Sequence, residues 1–237
     1  VDFGYVVDKI VLHDVSVYAN PGQKIALVGS TGAGKTTITN LITRFYDATE
    51  GEVYVDGVNV KEFKFSSLRN KVALVLQKSE LYSGTIKENI CWGKEDATME
   101  EVEYASKIAQ ADSFIKSFNE GYDTFVAEKG ASLSGGQKQR ISISRALIKK
   151  PEILIFDDST SALDLQTEAN LYKALNESLK DMTIITIAQR VASVRNADKI
   201  VVLNDGEIAS IGSHDELINS CPIYQEIYNS QLKKDGE

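Results

Sequence analysis

Eight consecutive residues, Gly29-Ser30-Thr31-Gly32-Ala33-Gly34-Lys35-Thr36, have the composition and order needed to hold a chain of phosphates. Glycines let the backbone wrap an anion closely, and N–H groups at a helix N-terminus donate to its oxygens. Lys35 adds positive charge, and the Thr36 hydroxyl can ligate Mg2+. The flanks are those such a loop requires: a continuous apolar run from Lys24 to Val28 precedes it, and an apolar-periodic stretch from Thr37 to Phe45 follows. Strand, loop and helix are predicted in that order. Further on, Asp157 closes a second apolar run, Glu152 to Phe156, where a carboxylate can hold the water shell of a metal beside phosphates. A helix-capping aspartate would also fit that place.

Positioning these residues demands a buried sheet. The runs Lys24 to Val28, Val72 to Leu76, Glu152 to Phe156, Thr183 to Ala188 and Lys199 to Leu203 are rich in Ile and Val, as in strands buried on both faces. A mainly parallel α/β sheet is predicted. Asp2 to Tyr5, Val11 to Tyr18 and Glu52 to Val55 read instead as antiparallel strands, with turns at Pro21-Gly22 and Asp56-Gly57. From about Thr85 to Lys150 the texture is that of an all-helical insert, with Thr98-Met99-Glu100-Glu101 as a capping box. Ser213 to Glu216 is a second capping box, and Pro222 suits the first turn of another helix. Neither an internal repeat nor a long Gly/Ser/Pro linker divides the chain.

The 237 residues, 43% hydrophobic and 25% charged, suffice for one large core or a core with a subdomain. Lys and Arg total 26 against 34 Asp and Glu, a net charge of −8, which disfavours nucleic acid and anionic lipid as partners. The two cysteines, Cys91 and Cys221, lack metal-ligand spacing and fit a reducing cytosol. No apolar run approaches the roughly 18 residues of a membrane span, and nothing resembles a signal peptide. The first residue is Val1 rather than Met, as expected of a piece of a longer polypeptide, with any membrane half upstream or on another chain.

Leu133-Ser134-Gly135-Gly136-Gln137 stands twenty residues before Asp157, and Ser134 and Gln137 have capping-box spacing. The result is a glycine-lined helix N-terminus suited to an anion. This pentapeptide matches the signature motif of ABC ATPases in full, and essentially the whole chain resembles the nucleotide-binding domains of ABC exporters. The resemblance implies an α/β, P-loop NTPase (RecA-like) fold: a mainly parallel sheet core, an N-terminal antiparallel β-subdomain and an inserted α-helical subdomain. Residues 1–237 would form one such domain, with 1–83 and 151–237 as ATP-binding core and 84–150 as helical signature subdomain.

The resemblance also implies ATP and Mg2+ as ligands, bound head-to-tail between two domains. Gly29, Ser30, Thr31, Gly32, Ala33, Gly34, Lys35, Thr36 and Thr37 would hold the phosphates, Thr36, Gln77 and Asp157 the metal, and Tyr5 would stack on adenine. Ser134, Gly135, Gly136 and Gln137 would press on the γ-phosphate of the partner domain's ATP. The lesser alternatives are that Tyr5 serves strand packing and that Gln77 is merely a strand-end polar residue. Leu81 to Ile90 and Val126 to Gly130 look exporter-like, with Glu128 either a contact to coupling helices or a solvated charge. Ser161-Ala162-Leu163-Asp164 resembles the D-loop, although Asp164 also suits a helix cap.

Two positions depart from the family pattern. The glutamate that polarises the attacking water is Asp158 here, a side chain shorter by one methylene, or roughly 1.5 Å. A misplacement of about 1 Å costs on the order of a hundredfold in rate. The switch histidine is Gln189, which can donate a hydrogen bond but cannot become cationic. His13 and His214, the two histidines present, sit in other contexts. Asp158 and Gln189, with Lys35, are therefore expected to bind ATP yet hydrolyse it weakly, while the intact signature serves a competent site elsewhere.

The expected assembly is a heterodimeric exporter. Its other subunit would carry Glu and His at the matching positions, and the chain would lie at the cytoplasmic face of a membrane, joined to a transmembrane domain fused upstream. Rival readings are a homodimeric exporter with ordinary ATPase activity and a nucleotide sensor that drives no transport. A soluble ABC protein of chromosomes or ribosomes would need long coiled-coil insertions or tandem cassettes, which the sequence lacks.

Overall fold

The computed structural model describes residues 1–6, 8–187 and 194–235. Its strands are β1 (Lys24–Gly29), β2 (Tyr54–Val55), β3 (Val58–Asn59), β4 (Val72–Val75), β5 (Gly84–Thr85), β6 (Phe125–Val126), β7 (Ile153–Asp157), β8 (Thr183–Ile187), β9 (Lys199–Asn204) and β10 (Glu207–Gly212). The α-helices are α1 (Lys35–Ile42), α2 (Phe65–Lys71), α3 (Ile86–Cys91), α4 (Met99–Ile108), α5 (Asp112–Lys116), α6 (Gly135–Leu147) and α7 (Leu165–Ser178), followed by His214–Ser220 and Pro222–Asp235. Two compact units emerge, Val1–Val72 with Thr183–Glu237, and Ala73–Met182.

In the first unit β1 lies between two parallel neighbours, β8 with Lys24 opposite Ile184 and β9 with Ile25 opposite Lys199. Ile25 through Val28 are all buried, which accounts for the unbroken apolar run. Ala26 and Val28 pack with Ile200, Val202, Leu217 and Tyr224, so the two C-terminal helices cover that core. His214 caps this packing through a 2.8 Å hydrogen bond between its Nδ1 and the Tyr224 hydroxyl. β10 then folds back antiparallel on β9.

The antiparallel strands expected near the N-terminus are mostly not formed. Asp2, Phe3 and Val6 make isolated bridges to Glu50, Leu12 and Lys9. The ladder stops because the amides of Val11 and Leu12 both converge on the Phe3 carbonyl, at 2.7 and 3.0 Å, which breaks the regular alternation of pairs. The Asp56-Gly57 turn does form, with positive φ at both residues, and joins β2 to β3. α1 ends before the expected Phe45 because Arg44 turns left-handed at φ 53°.

In the second unit β7 lies beside β4, and α3, α4 and α6 pack on one another. This unit takes in β4, β7 and α7 besides the segment 84–150. The helices start at reciprocal caps: Thr85 with Glu88, Thr98 with Glu101, and Ser134 with Gln137. The insert is not wholly helical. Gly84 and Thr85 pair antiparallel with Val126 and Phe125, and Thr85 serves at once as strand residue and as cap of α3. Glu101 receives Lys94 at 2.8 Å and Lys150 at 3.1 Å, and these partners hold its carboxyl down at about 2.

Candidate functional site

The expected ligand residues fall in both units. In the first, the strand-loop-helix order is the one predicted. Gly29 has φ 155° and runs so close to β9 that a Cβ there would sit 2.3 Å from the Leu203 carbonyl oxygen. A side chain at that position would have to displace backbone. Gly34 caps α1 at φ 100° without any side-chain hydrogen bond, and no acidic residue occupies the first turn. No carboxylate of the helix's own first turn competes with an approaching anion.

Lys35 Nζ donates to the Gly29 and Ser30 carbonyls at 2.8 and 2.7 Å, so the loop closes around its own ammonium group. Its charge offsets the carbonyl dipoles that would otherwise oppose phosphate. The amide of Ala33 donates to Ser30 O at 3.2 Å, bracing the turn that contains Thr31 and Gly32. Thr36 lies in the first turn of α1, and its neighbours Ala33 and Thr37 are buried.

Tyr5 belongs to this set spatially as well. Its half-exposed ring stands perpendicular to Phe3 and Tyr46, with centroids 4.8 and 4.9 Å away. Its hydroxyl lies 3.1 Å from Thr37 Oγ1 and accepts from Asn40 Nδ2 at 3.2 Å. Sequence reasoning missed Asn40. The available signal was its i,i+3 spacing from Thr37, which puts both on one face of α1.

In the second unit Asp157 is the last residue of β7 and is buried, as is Asp158. Asp158 turns left-handed at φ 48°, ending the strand and aiming the chain into the following loop. Gln77, expected at a strand end, lies two residues beyond β4, and its Nε2 donates to Asp158 Oδ2 at 2.7 Å, which brings the glutamine and the substituted carboxylate together. With its nitrogen so engaged, the Gln77 amide oxygen remains available as a hard donor. Within the second unit the Gln77 amide and the Asp157 carboxylate carry oxygens of the chemical kind Mg2+ prefers, as the Thr36 hydroxyl does in the first.

The signature residues behave as a capped helix start: Ser134 N donates to Gln137 Oε1 at 2.9 Å, and Gln137 N to Ser134 Oγ at 3.2 Å. Gly135 and Gly136 stay bare, and a Cβ on Gly136 would come within 3.1 Å of the Ala162 carbonyl oxygen. The absence of a side chain thus lets the D-loop segment pass close to the start of α6. Asp164 caps α7 through Thr167, whose N–H and hydroxyl hold its carboxyl below the usual carboxylate range.

Gln139, also unanticipated, is buried on α6; its Nε2 donates to Leu76 O at 3.2 Å and its Oε1 accepts from Ser79 Oγ. It thereby ties the Leu76 carbonyl and the Ser79 side chain, one on each side of Gln77. Glu128 begins the turn Glu128–Gly130. Gln189 lies outside the described residues.

Residues 12–161 match the family described as ABC transporter. YgaD of Bacillus subtilis (strain 168), provisionally named a multidrug export ATP-binding/permease protein, is 49% identical over 232 residues, 98% of this chain and 40% of its own length. A Staphylococcus aureus (strain NCTC 8325) protein, provisionally named in the same way, is 47% identical over 221 residues, 93% of this chain and 38% of its own. Among solved structures, a bacterial Atm1-family ABC exporter with ATP bound superposes with a TM-score of 0.93 at 41% identity, covering 98% of this chain and 41% of that one. The chain therefore spans about two fifths of the length of these relatives.

Proposed function

The chain belongs to the ABC transporter family as one of its ATP-binding domains, and from that premise we propose that it is the motor module of an exporter whose own site holds MgATP and cleaves it slowly. The observation that carries the slow step is the 2.7 Å hydrogen bond from Gln77 to Asp158 Oδ2. A general base must present its carboxylate to the attacking water within hydrogen-bond reach. Here the carboxylate is one methylene short of glutamate and already accepts from an amide. Misplacing or occupying that group removes general-base catalysis worth about 10² to 10⁴ in rate.

Nucleotide binding draws mainly on other residues. The loop 29–36 and the first turn of α1 would take the phosphates, with Lys35 moving from its two carbonyls to phosphate oxygens. Thr36, Asp157 and Gln77 would hold Mg2+, which supplies charge neutralisation at the β- and γ-phosphates, and Tyr5 would carry the adenine. Gln189, neutral where the family has histidine, would contact the γ-phosphate with less charge stabilisation.

The intact Ser134–Gln137 cap supports a second part of the reading, in which this helix start completes the site of another ABC domain. That partner would carry Glu and His where this chain has Asp158 and Gln189. Together the two would drive export through a transmembrane domain in the remaining three fifths of a protein of the relatives' length, placing this module at the cytoplasmic face of a membrane. Among the described residues no helix is long and apolar enough to cross a membrane itself.

Steady-state MgATP hydrolysis across protein concentration tests the proposal, comparing the parent with Asp158→Glu plus Gln189→His. The expected outcome is a nearly inactive parent and a gain of about a hundredfold or more in the variant, growing with concentration as dimers form. Equal rates would favour a homodimeric exporter domain with ordinary activity.

A further inference from the structure

Tyr5 is constrained at more points than ring stacking alone would demand. Its ring is wedged at right angles to Phe3 and Tyr46, while its hydroxyl reaches both Thr37 and Asn40 on α1. Asn40 Nδ2 can only donate, so the tyrosine oxygen accepts there, while between Tyr5 and Thr37 Oγ1 either hydroxyl can donate. Asn40, Tyr5 and Thr37 thus form one hydrogen-bonded chain.

Resting on the reading of Tyr5 as the adenine platform, we infer that Asn40 is a positioning residue for base recognition. Its amide fixes the platform on the same helix that begins with Lys35 and Thr36, so base and phosphates are met by one rigid element. An aromatic ring free to change rotamer would lose that freedom when the nucleotide binds, and the loss would weaken binding. A ring already locked by Asn40 and Thr37 avoids most of it. The contribution concerns the base only, so a ligand without a base should not sense Asn40.

Calorimetric titration of the purified protein with MgATP and with magnesium tripolyphosphate tests this. Asn40→Ala, which removes one hydrogen bond, is expected to weaken MgATP binding about three- to tenfold and to leave tripolyphosphate binding unchanged, and Tyr5→Phe, which removes that bond and the one to Thr37, to weaken MgATP binding at least as much. Because both remove the same bond, Tyr5→Phe combined with Asn40→Ala should bind no more weakly than the weaker single variant. Tyr5→Ala, which removes the ring, should lose tenfold or more for MgATP alone.

If Tyr5→Ala weakens MgATP while Asn40→Ala does not, the positioning role is overturned and the platform stands. If Asn40→Ala weakens both ligands equally, Asn40 merely supports α1, and the inference fails. If Tyr5→Ala leaves MgATP binding intact, the platform reading falls and takes the inference with it.

Discussion

The loop at Gly29–Thr36 and the loop at Asp157–Ser161 perform their parts by different means. The first is specified by backbone: left-handed glycines, a close approach to Leu203, and a lysine folded onto carbonyls. The second is specified by side-chain reach, in which the position of one carboxylate oxygen relative to Gln77 decides what it can do. A backbone-built site keeps its ligand when side chains outside the loop change. A site that depends on side-chain reach changes its chemistry with the loss of one methylene, and on the proposed function this is where binding and cleavage would separate.

The contrast breaks most visibly at Lys35. Lys35→Ala should weaken MgATP binding by roughly a hundredfold through the loss of charge-assisted hydrogen bonds, whereas Asp158→Asn should change it less than about threefold. Equilibrium titration of the two variants checks this, and similar losses in both would erase the distinction between the loops.

A smaller effect is expected at Ser159, beside Asp158. Its buried hydroxyl has no hydrogen-bond partner among the described residues, which leaves the desolvation of that group uncompensated there. Ser159→Ala should stabilise the fold by about 1 kcal/mol in denaturant unfolding, whereas a loss of stability would mean that the hydroxyl is serving a partner.

The smallest effect lies away from the nucleotide, at Glu101. Lys94 and Lys150 hold its carboxyl at about 2 in the fold, below the ordinary 4.5. A carboxyl depressed in the fold contributes stability above pH 4.5 that is lost as the pH falls toward 2. Glu101→Gln should therefore flatten the acid dependence of thermal unfolding in that window while leaving MgATP affinity unchanged. An unaltered slope would remove the ion pairs from the account.

Much of this was legible in the sequence, because the features concerned are local. The phosphate loop, the strand ending at Asp157 and the caps at Thr98, Ser134 and Ser213 each need only a short window of residues, and all appear where their patterns placed them. β10 was overlooked although Asp205-Gly206, left-handed at both residues, is a hairpin signal; its alternating, half-exposed pattern is weaker than a buried run. The N-terminal strands were overread because alternation cannot reveal two amides meeting at one carbonyl. Long-range pairs were least visible. Gln77 lies 81 residues from Asp158, Gln139 63 from Leu76, and Tyr5 35 from Asn40, and no periodicity links such positions.

The most direct test measures binding and cleavage in the same samples: MgATP affinity by titration and the single-turnover cleavage rate, for the parent and for Asp158→Glu plus Gln189→His. The expected result is affinity equal within about threefold and a cleavage rate at least about a hundredfold higher in the variant. Cleavage by the parent at the rate of the variant would contradict the account.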